Sequence, residues 1–367
     1  MKTESETDNL AALPGEAGAP ESIFRGSRKE VGRLHGRTFS VQVRRELSLA
    51  LESCCRDFSL DTEAMLAHTK RFVPWIRRNL PQLMPEVEGL AEGAGISEDA
   101  ALFLVVSDGL RSSPDGNCTS FYCGAESTAD GSVFLGQTKD TPPRDGRYFV
   151  MRWSYDDGLE MIVLNYAGWL ANIGMTSHGV GLCGNSLYAK EHARECRPFS
   201  LLKRGILESR NVSEAMQYVE VGGWQDGCLG VADQSGKAAF VELILGRSHC
   251  RRMTGEAVGH ANSIQTPELR HLDRSAEASA CSLTRQKTVD RILAEGTGRI
   301  TEKSLRALLA DHEQKPESIC RHPKPGDENR TTAAFLANLS AGWMDVAIGN
   351  PCSTAFHRHR VTLRAHG

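Results

Sequence analysis

The sequence predicts an α+β protein in which packed layers of antiparallel strands are covered by helices. Three observations carry that reading. Apolar residues recur at spacings of three and four up to about residue 110, and after Pro114 the chain turns to short β-prone runs separated by glycines. Strands and helices then come in runs of their own, without the regular strand-helix alternation of a parallel sheet. The 367 residues, 40% of them hydrophobic, allow one large domain or two and supply a sizeable core.

Residues 1–28 are rich in Glu, Gly, Ala, Pro and Ser, too poor in large apolar side chains to offset chain entropy, and read as a disordered lead. The segment 29–117 reads as helical, most clearly in LSLALESCC and MLAHTKRFVPWIRRNLPQLM. Ser97 is placed to cap ISEDAALFLVVSDGL, with Glu98 and Asp99 in the first turn where the helix dipole favours acids. In the segment 118–367, β-prone runs follow at TSFYC, SVFLGQ, RYFVMRWSY, EMIVLNYAG and NIGMTSHGVGLCG, with Asp130-Gly131 marking a hairpin between the first two. Helices are expected at PFSLLKRGILESR, SEAMQYVE, TRQKTVDRILAEG and TEKSLRALLADH. Two more hairpins are expected, in CLGVADQSGKAAFVELIL across Gln-Ser-Gly and in TAAFLANLSAGWMDVAIG across Ser-Ala-Gly.

Composition excludes several function classes. Forty-three Lys and Arg against 46 Asp and Glu, a net charge of −3 without a long basic run, argue against nucleic acid or an acidic membrane surface as a partner. No apolar run approaches the roughly 18 residues of a membrane span. The first residues, MKTESETDNLAALPGEAG, lack the apolar core of a signal peptide, and the eleven cysteines are odd in number with no repeating interval. A reducing, cytoplasmic location is therefore expected, with thiols used mostly for packing.

Two motifs read as decoys. GVGLCG at 179–184 satisfies G-x-G-x-x-G, but the charged, Pro198-interrupted stretch after it cannot open the helix that a pyrophosphate site needs. HRHR at 357–360 lacks a neighbouring Cys or carboxylate cluster at ligand spacing and reads as an exposed basic strand. No metal or cofactor site is expected.

The informative stretch is DGNCTSFYC at 115–123, followed by GQTKD at 136–140. A cysteine just after a Gly-Asn turn, at a strand start, can attack the carbonyl before it. That N-to-S acyl shift would turn the Asn117–Cys118 peptide into a thioester, which water would cut. Cys118 would then begin a new chain, and its α-amine, with a reference pKa near 8, could serve as the base for its own thiol.

From about Val31 to Leu363 the sequence resembles the acyl-coenzyme A:6-aminopenicillanic-acid acyltransferase family of autoproteolytic N-terminal-nucleophile hydrolases. The resemblance rests on PEVEGLAEGAGISEDAALFL, NCTSFYC, GQTKD, GMTSHGVGLCGNSL, PFSLLKRGIL, GHANSI at 259–264 and AIGNPCSTAF, in that order. It implies a four-layer αββα sandwich with the nucleophile at a strand start between two sheets. It also implies self-cleavage between Asn117 and Cys118 into small and large chains that stay associated as a heterodimer. Cys118 matches the nucleophile, Asp140 an aspartate that orients the new ammonium, and Asn262 an asparagine whose amide group donates to the tetrahedral oxyanion. In the related bile-salt hydrolases a backbone amide after a Gly-Met pair completes the oxyanion hole, which here points to Thr176. A further family arginine has no motif that places it.

Two residues depart from the pattern. Asn117 stands where family members commonly carry Gly, and Gln137 stands where bile-salt hydrolases place an arginine, which favours the acyltransferase-like branch. Asn185, in CGNS, reads as structural or substrate-lining. The activity implied is transfer or hydrolysis of the acyl group of a small amide or thioester through a Cys118 acyl-enzyme, with no cofactor. Two alternatives stand beside it: a thiol hydrolase pairing Cys118 with His178 or His260, and a catalytically silent binding protein of the same fold.

Overall fold

Side-chain caps start five of the helices. In the computed structural model, which describes residues 20–110, 117–142, 148–191, 196–278 and 281–364, Ser27, Asp61, Ser97 and Asn211 each accept a hydrogen bond from the backbone N–H three residues on. Thr301 and Ser304 form a reciprocal capping box. The N-terminal helices are α1 (Arg28–Thr38), α2 (Ser40–Phe58), α3 (Thr62–Thr69), α4 (Val73–Asn79), α5 (Leu83–Ala94) and α6 (Glu98–Val106). The run MLAHTKRFVPWIRRNLPQLM is broken into three helices: Pro74, which lacks an N–H, sits in the first turn of α4 after a short 3-10 turn at Lys70–Phe72, and Leu80 leaves the helical conformation before Pro81.

One expectation fails here. Within the lead 1–28, Glu21–Gly26 forms a strand, β1, and Ser27 already caps α1. The composition argument missed that Phe24 alone reaches the core, where it stacks on His35 with ring centroids 5.6 Å apart. Residues 1–19 of that lead lie outside the described residues.

The remaining elements are β2 (Asn117–Cys123), β3 (Phe134–Thr141), β4 (Phe149–Tyr155), β5 (Glu160–Asn165), β6 (Ile173–Thr176), β7 (Val180–Asn185), α7 (Phe199–Glu208), α8 (Val212–Glu220) and β8 (Gly227–Asp233). After them come β9 (Lys237–Ile244), β10 (Arg247–Thr254), β11 (Ala257–His260), α9 (Ser275–Ala278), α10 (Cys281–Gly296), α11 (Glu302–Leu309), β12 (Arg330–Asn338), β13 (Trp343–Ile348) and β14 (His357–Arg360). They build an eight-stranded sheet in the order β1-β4-β5-β6-β7-β8-β9-β10 and a six-stranded sheet in the order β11-β2-β3-β12-β13-β14. All pairings are antiparallel except β1 with β4.

The three hairpins form as expected. Gly236 and Gly342 take positive φ at two of the turns, and β2 reaches β3 through residues 124–133, with Gly131 at φ +75°. GVGLCG is strand β7 and its neighbours, with no helix among the described residues 186–191 that follow, and HRHR is the edge strand β14.

Strand alternation sorts side chains into layers. On β5, Met161 and Val163 join the core under the N-terminal helices, whereas Ile162 and Leu164 point to the core between the sheets. On β2, Tyr122 joins the inter-sheet core, while Phe121 and Cys123 pack with Val289, Leu293, Leu305 and Leu308 of α10 and α11. Three cores separate four layers in the order α, β, β, α, the arrangement the family resemblance implies.

Segments 29–117 and 118–367 share the first of these cores. A buried ion network crosses between them: Arg204 bonds Glu86 at 2.6 Å and Glu208 at 2.7 Å, Arg28 bonds Glu208 at 2.7 Å, and the Tyr155 hydroxyl donates to Glu86 at 2.7 Å. Helices α1 and α5 approach backbone to backbone because glycines face each other. A Cβ on Gly32 would lie 2.1 Å from the Glu86 carbonyl oxygen, and one on Gly89 would lie 1.9 Å from that of Lys29. Backbone on both sides cannot yield as a side chain can, so Gly89→Ala should lower stability by about 3 kcal/mol, read as a reduced denaturant midpoint, while Gly95→Asn at the left-handed C-cap of α5 should change it little.

Candidate active site

Cys118 sits one residue into β2, and its register with Tyr122 turns its side chain toward the space between the sheets. It is buried at 2% exposure. Its cross-strand partner Lys139 faces the same space, hydrogen-bonds the thiol and donates to the Gly184 carbonyl at 3.4 Å. Burial works against the Lys139 charge, but Cys118, Tyr166 and Asp140 outweigh it and hold its pKa above the ordinary value. Lys203 of α7 lies in the field of the same two groups. Burial pushes it down to about 8, with Asp108 opposing.

The backbone of Cys118 is held by side chains from far along the chain. Its N–H donates to Asn262 Oδ1 at 2.8 Å, and its carbonyl accepts from Arg285 at 2.5 Å. Arg285 of α10 also donates to Thr119 Oγ1 and to Asn262 Oδ1, both at 2.8 Å. Two donors converge on one oxygen, which settles the orientation of the Asn262 carboxamide. Its Nδ2 in turn donates to the Ser186 carbonyl at 2.8 Å. Burial opposes the Arg285 charge, and Cys281, Asp140 and Cys118 overcome it.

Asp140 pairs with Asn117 across β2 and β3 and is fully buried. Its Oδ1 accepts from the Thr331 hydroxyl at 2.7 Å, and its Oδ2 is buried without a hydrogen-bond partner among the described residues. Burial raises its pKa, while Arg285, Thr331, Arg321 and Lys139 pull it back. The result is a cysteine-bearing strand with a cation beside the thiol, an oxygen at the amide, a second cation at the carbonyl and, one register position away, a carboxylate oxygen without a hydrogen-bond partner among the described residues.

Residues 127–352 match the acyl-coenzyme A:6-aminopenicillanic acid acyl-transferase family, a span that holds Asp140, Asn262 and Arg285. The chain belongs to this family. It is 23% identical over 331 residues to the 40 kDa form of acyl-coenzyme A:6-aminopenicillanic-acid-acyltransferase of Emericella nidulans, covering 84% of this chain and 86% of that protein. It is 23% identical over 386 residues to the beta-alanyl-dopamine/carcinine hydrolase of Drosophila melanogaster, covering 94% and 96%. Among solved structures it is similar to penicillin V acylase from Agrobacterium tumefaciens, at 13% identity and a TM-score of 0.42 over 67% of this chain and 86% of that one.

Of the site residues expected from the sequence of this acyltransferase-family protein, Cys118, Asn117, Asp140 and Asn262 come together. Thr176 does not. It lies at the turn of the β6–β7 hairpin, one residue beyond the Met175–Gly181 pair, and its carbonyl accepts from Gly179. From that level to Gly184, the part of β7 that meets Lys139, is roughly 13 Å of strand. The Gly-Met-Thr string marks a hairpin end, whose position in the sandwich no local pattern reveals.

Asn185 belongs nearer the chemistry. Its Nδ2 donates to the carbonyls of His260 and Ala261 at 2.6 and 2.8 Å, tying β7 to the strand end that carries Asn262, and Gln137 donates to its Oδ1 at 2.8 Å. Arg285 and Lys139 were missed as site residues. Lys139 could have been found from GQTKD, since it is Cys118's partner in any hairpin that pairs Asn117 with Asp140. Arg285 had no local signal beyond the unplaced family arginine.

Neither histidine proposed for a thiol-imidazole pair is available to Cys118. His178 sits at the same remote turn as Thr176, with Nδ1 3.3 Å from the Ser209 carbonyl. The two ring nitrogens of His260 face Glu242 Oε1 and the Ala261 carbonyl, both at 2.8 Å. Burial raises the Glu242 pKa, but the His260 contact and the N–H groups of Gln265 and Thr266 bring it down to about 2. A carboxylate held below its ordinary 4.5 stabilises the fold above that pH and loses the contribution as pH falls toward 2. Glu242→Gln should therefore remove on the order of 3 kcal/mol of pH-dependent stability, seen as a flatter fall in urea midpoint between pH 5 and 2.

Proposed function

We propose that this chain is a self-processing cysteine amidohydrolase or acyltransferase whose nucleophile is Cys118. The observation that carries the reading is the double grip on the Cys118 backbone, its N–H on Asn262 Oδ1 and its carbonyl on Arg285, with the thiol beside Lys139. A structural cysteine in a strand needs none of these partners.

In the first reaction the Cys118 sulfur adds to the Asn117 carbonyl and the C–N bond breaks, leaving a thioester at Asn117 and a free amine on Cys118. Water then hydrolyses the thioester, releasing a carboxylate on Asn117 and restoring the thiol. Asn262 Oδ1 already accepts from the nitrogen that becomes the amine, and Asp140 Oδ2, free of a hydrogen-bond partner among the described residues, would be the carboxylate to take up the new ammonium.

In the second reaction the amine takes the thiol proton as the sulfur attacks the carbonyl of a small amide or thioester. The second Asn262 Nδ2 proton, the one not given to Ser186, would meet the developing oxyanion. The leaving amine or thiol takes the proton from the α-ammonium, and water or an acceptor amine resolves the acyl-enzyme. Arg285 keeps Asn262 from turning, so that the pre-set donor costs no reorganisation at the moment of reaction. The names of the relatives, an acyltransferase using acyl-coenzyme A and a hydrolase of β-alanyl amines, suggest a substrate with a small acyl group on an amine. After the cut, the shared core would keep residues 29–117 and 118–367 together as a heterodimer.

Denaturing electrophoresis with intact mass measurement should find two fragments divided between Asn117 and Cys118, and a single uncut chain for Cys118→Ala. An uncut wild-type chain, or activity surviving Cys118→Ala, rejects the proposal. Asn262→Ala in processed enzyme should lower kcat by 10²- to 10³-fold, about 3–4 kcal/mol, measured by acyl-thioester formation on Cys118 with N-acyl substrates.

A further inference from the structure

We infer that His312, Cys320, His322 and Cys352 form a structural zinc site that pins the connection between α11 and β12 to the loop after β13. One ligand atom from each of the four lies within 4.8 Å of all the others. His312 Nε2 is 3.0 Å from His322 Nε2, which is 3.4 Å from Cys352 Sγ and 3.8 Å from Cys320 Sγ. A tetrahedron with Zn–N bonds of about 2.0–2.1 Å and Zn–S bonds of about 2.3 Å has edges of roughly 3.3–3.8 Å. Three of the six donor separations, 3.0 to 3.8 Å, lie at or near those edges, and none exceeds 4.8 Å, so small side-chain adjustments would close the tetrahedron. Two sulfurs and two imidazoles in tetrahedral array select zinc among common divalent ions, and two thiolates cancel its charge.

The surrounding chain shows what the ion would do. Residues 310–329 cross from α11 to β12 with only turns and a single bridge between Lys324 and Asp327, a length at which an unbraced connection is uncommon in a compact domain. His312 stands at its start, Cys320 and His322 in its middle, and Cys352 in the loop beyond β13. Cys320 is buried. Zinc would displace its thiol proton and the one on Cys352, turning a buried thiol into a satisfied ligand. The Asn350 side chain donates to Cys320 Sγ at 3.6 Å and to the Arg321 carbonyl at 2.7 Å, a partner of the kind that orients metal ligands.

The brace leads to the candidate active site. Arg321, between two ligands, donates its N–H to Thr331 Oγ1 at 2.9 Å, and the Thr331 hydroxyl donates to Asp140 at 2.7 Å. Zinc here would depart from the expectation of no metal site and of cysteines other than Cys118 used for packing. The donor intervals, seven residues, one residue and then twenty-nine, follow no regular motif.

The test is metal content of the full chain, purified under reducing conditions, stripped with a chelator and reloaded with zinc or cobalt. The expected result is one zinc per chain in wild type and in Cys118→Ala, with a thiolate-to-cobalt charge-transfer band in the cobalt form. Cys352→Ser and His312→Ala, both at exposed positions, should each lose the zinc while keeping the far-ultraviolet circular dichroism of the wild type. Wild-type chain that takes up no stoichiometric zinc overturns the proposal, as does zinc retained by the Cys352→Ser, His312→Ala double variant. A Cys320–Cys352 disulfide in place of metal under reducing conditions overturns it as well.

Discussion

The buried guanidinium of Arg285 is the constraint on which the candidate site depends. It meets the carbonyl of Cys118, the hydroxyl of Thr119 and the side-chain oxygen of Asn262, with Asp140 close enough to support its charge. A cation so placed costs several kcal/mol of desolvation unless acceptors surround it. Two of these acceptors belong to Cys118 and Asn262, the residues the proposed acyl-transfer chemistry would use, so the requirement that stabilises the charge also orders the site. One helix, α10, thereby ties strand β2 to the segment that follows β11.

The two-sheet arrangement supplies the rest. Strand alternation sends Cys118 and Lys139 to the inter-sheet side and Asn117, Thr119 and Asp140 toward α10, dividing the thiol from the carboxylate by one strand thickness. The N-terminal helices contribute no residue to this arrangement, yet they cover the outer face of the large sheet and share the Glu86–Arg204–Glu208–Arg28 network with it. The contacts that join the N-terminal helices to the rest of the chain therefore do not depend on the Asn117–Cys118 peptide.

Much of this was legible in the residues. Caps at Ser97 and Thr301, turns at Gly131, Gly236 and Gly342, and the strand identity of GVGLCG all follow from local chemistry, in which a side chain or a positive φ acts within a few residues. The breaks at Pro74 and Pro81 were equally local but were overridden by the longer apolar period. Strand β1 escaped because a parallel edge strand needs only one buried side chain, Phe24, and composition averages over that. Thr176 was misplaced because a three-residue string does not report which end of a strand faces the site.

By itself the sequence determined the class of fold, the strand that carries Cys118 and, through family resemblance, the identities of Asp140 and Asn262 as its partners. Tertiary structure alone decided which oxygen or nitrogen of Asn262 faces Cys118, that Arg285 anchors both, and that His312, Cys320, His322 and Cys352 meet. The physical reason is range. Caps, turns and alternation act over one to four residues, whereas Cys118 meets Asn262 across 144 residues and Arg285 across 167. No periodicity in the chain records such a meeting; it exists only once the two sheets have stacked.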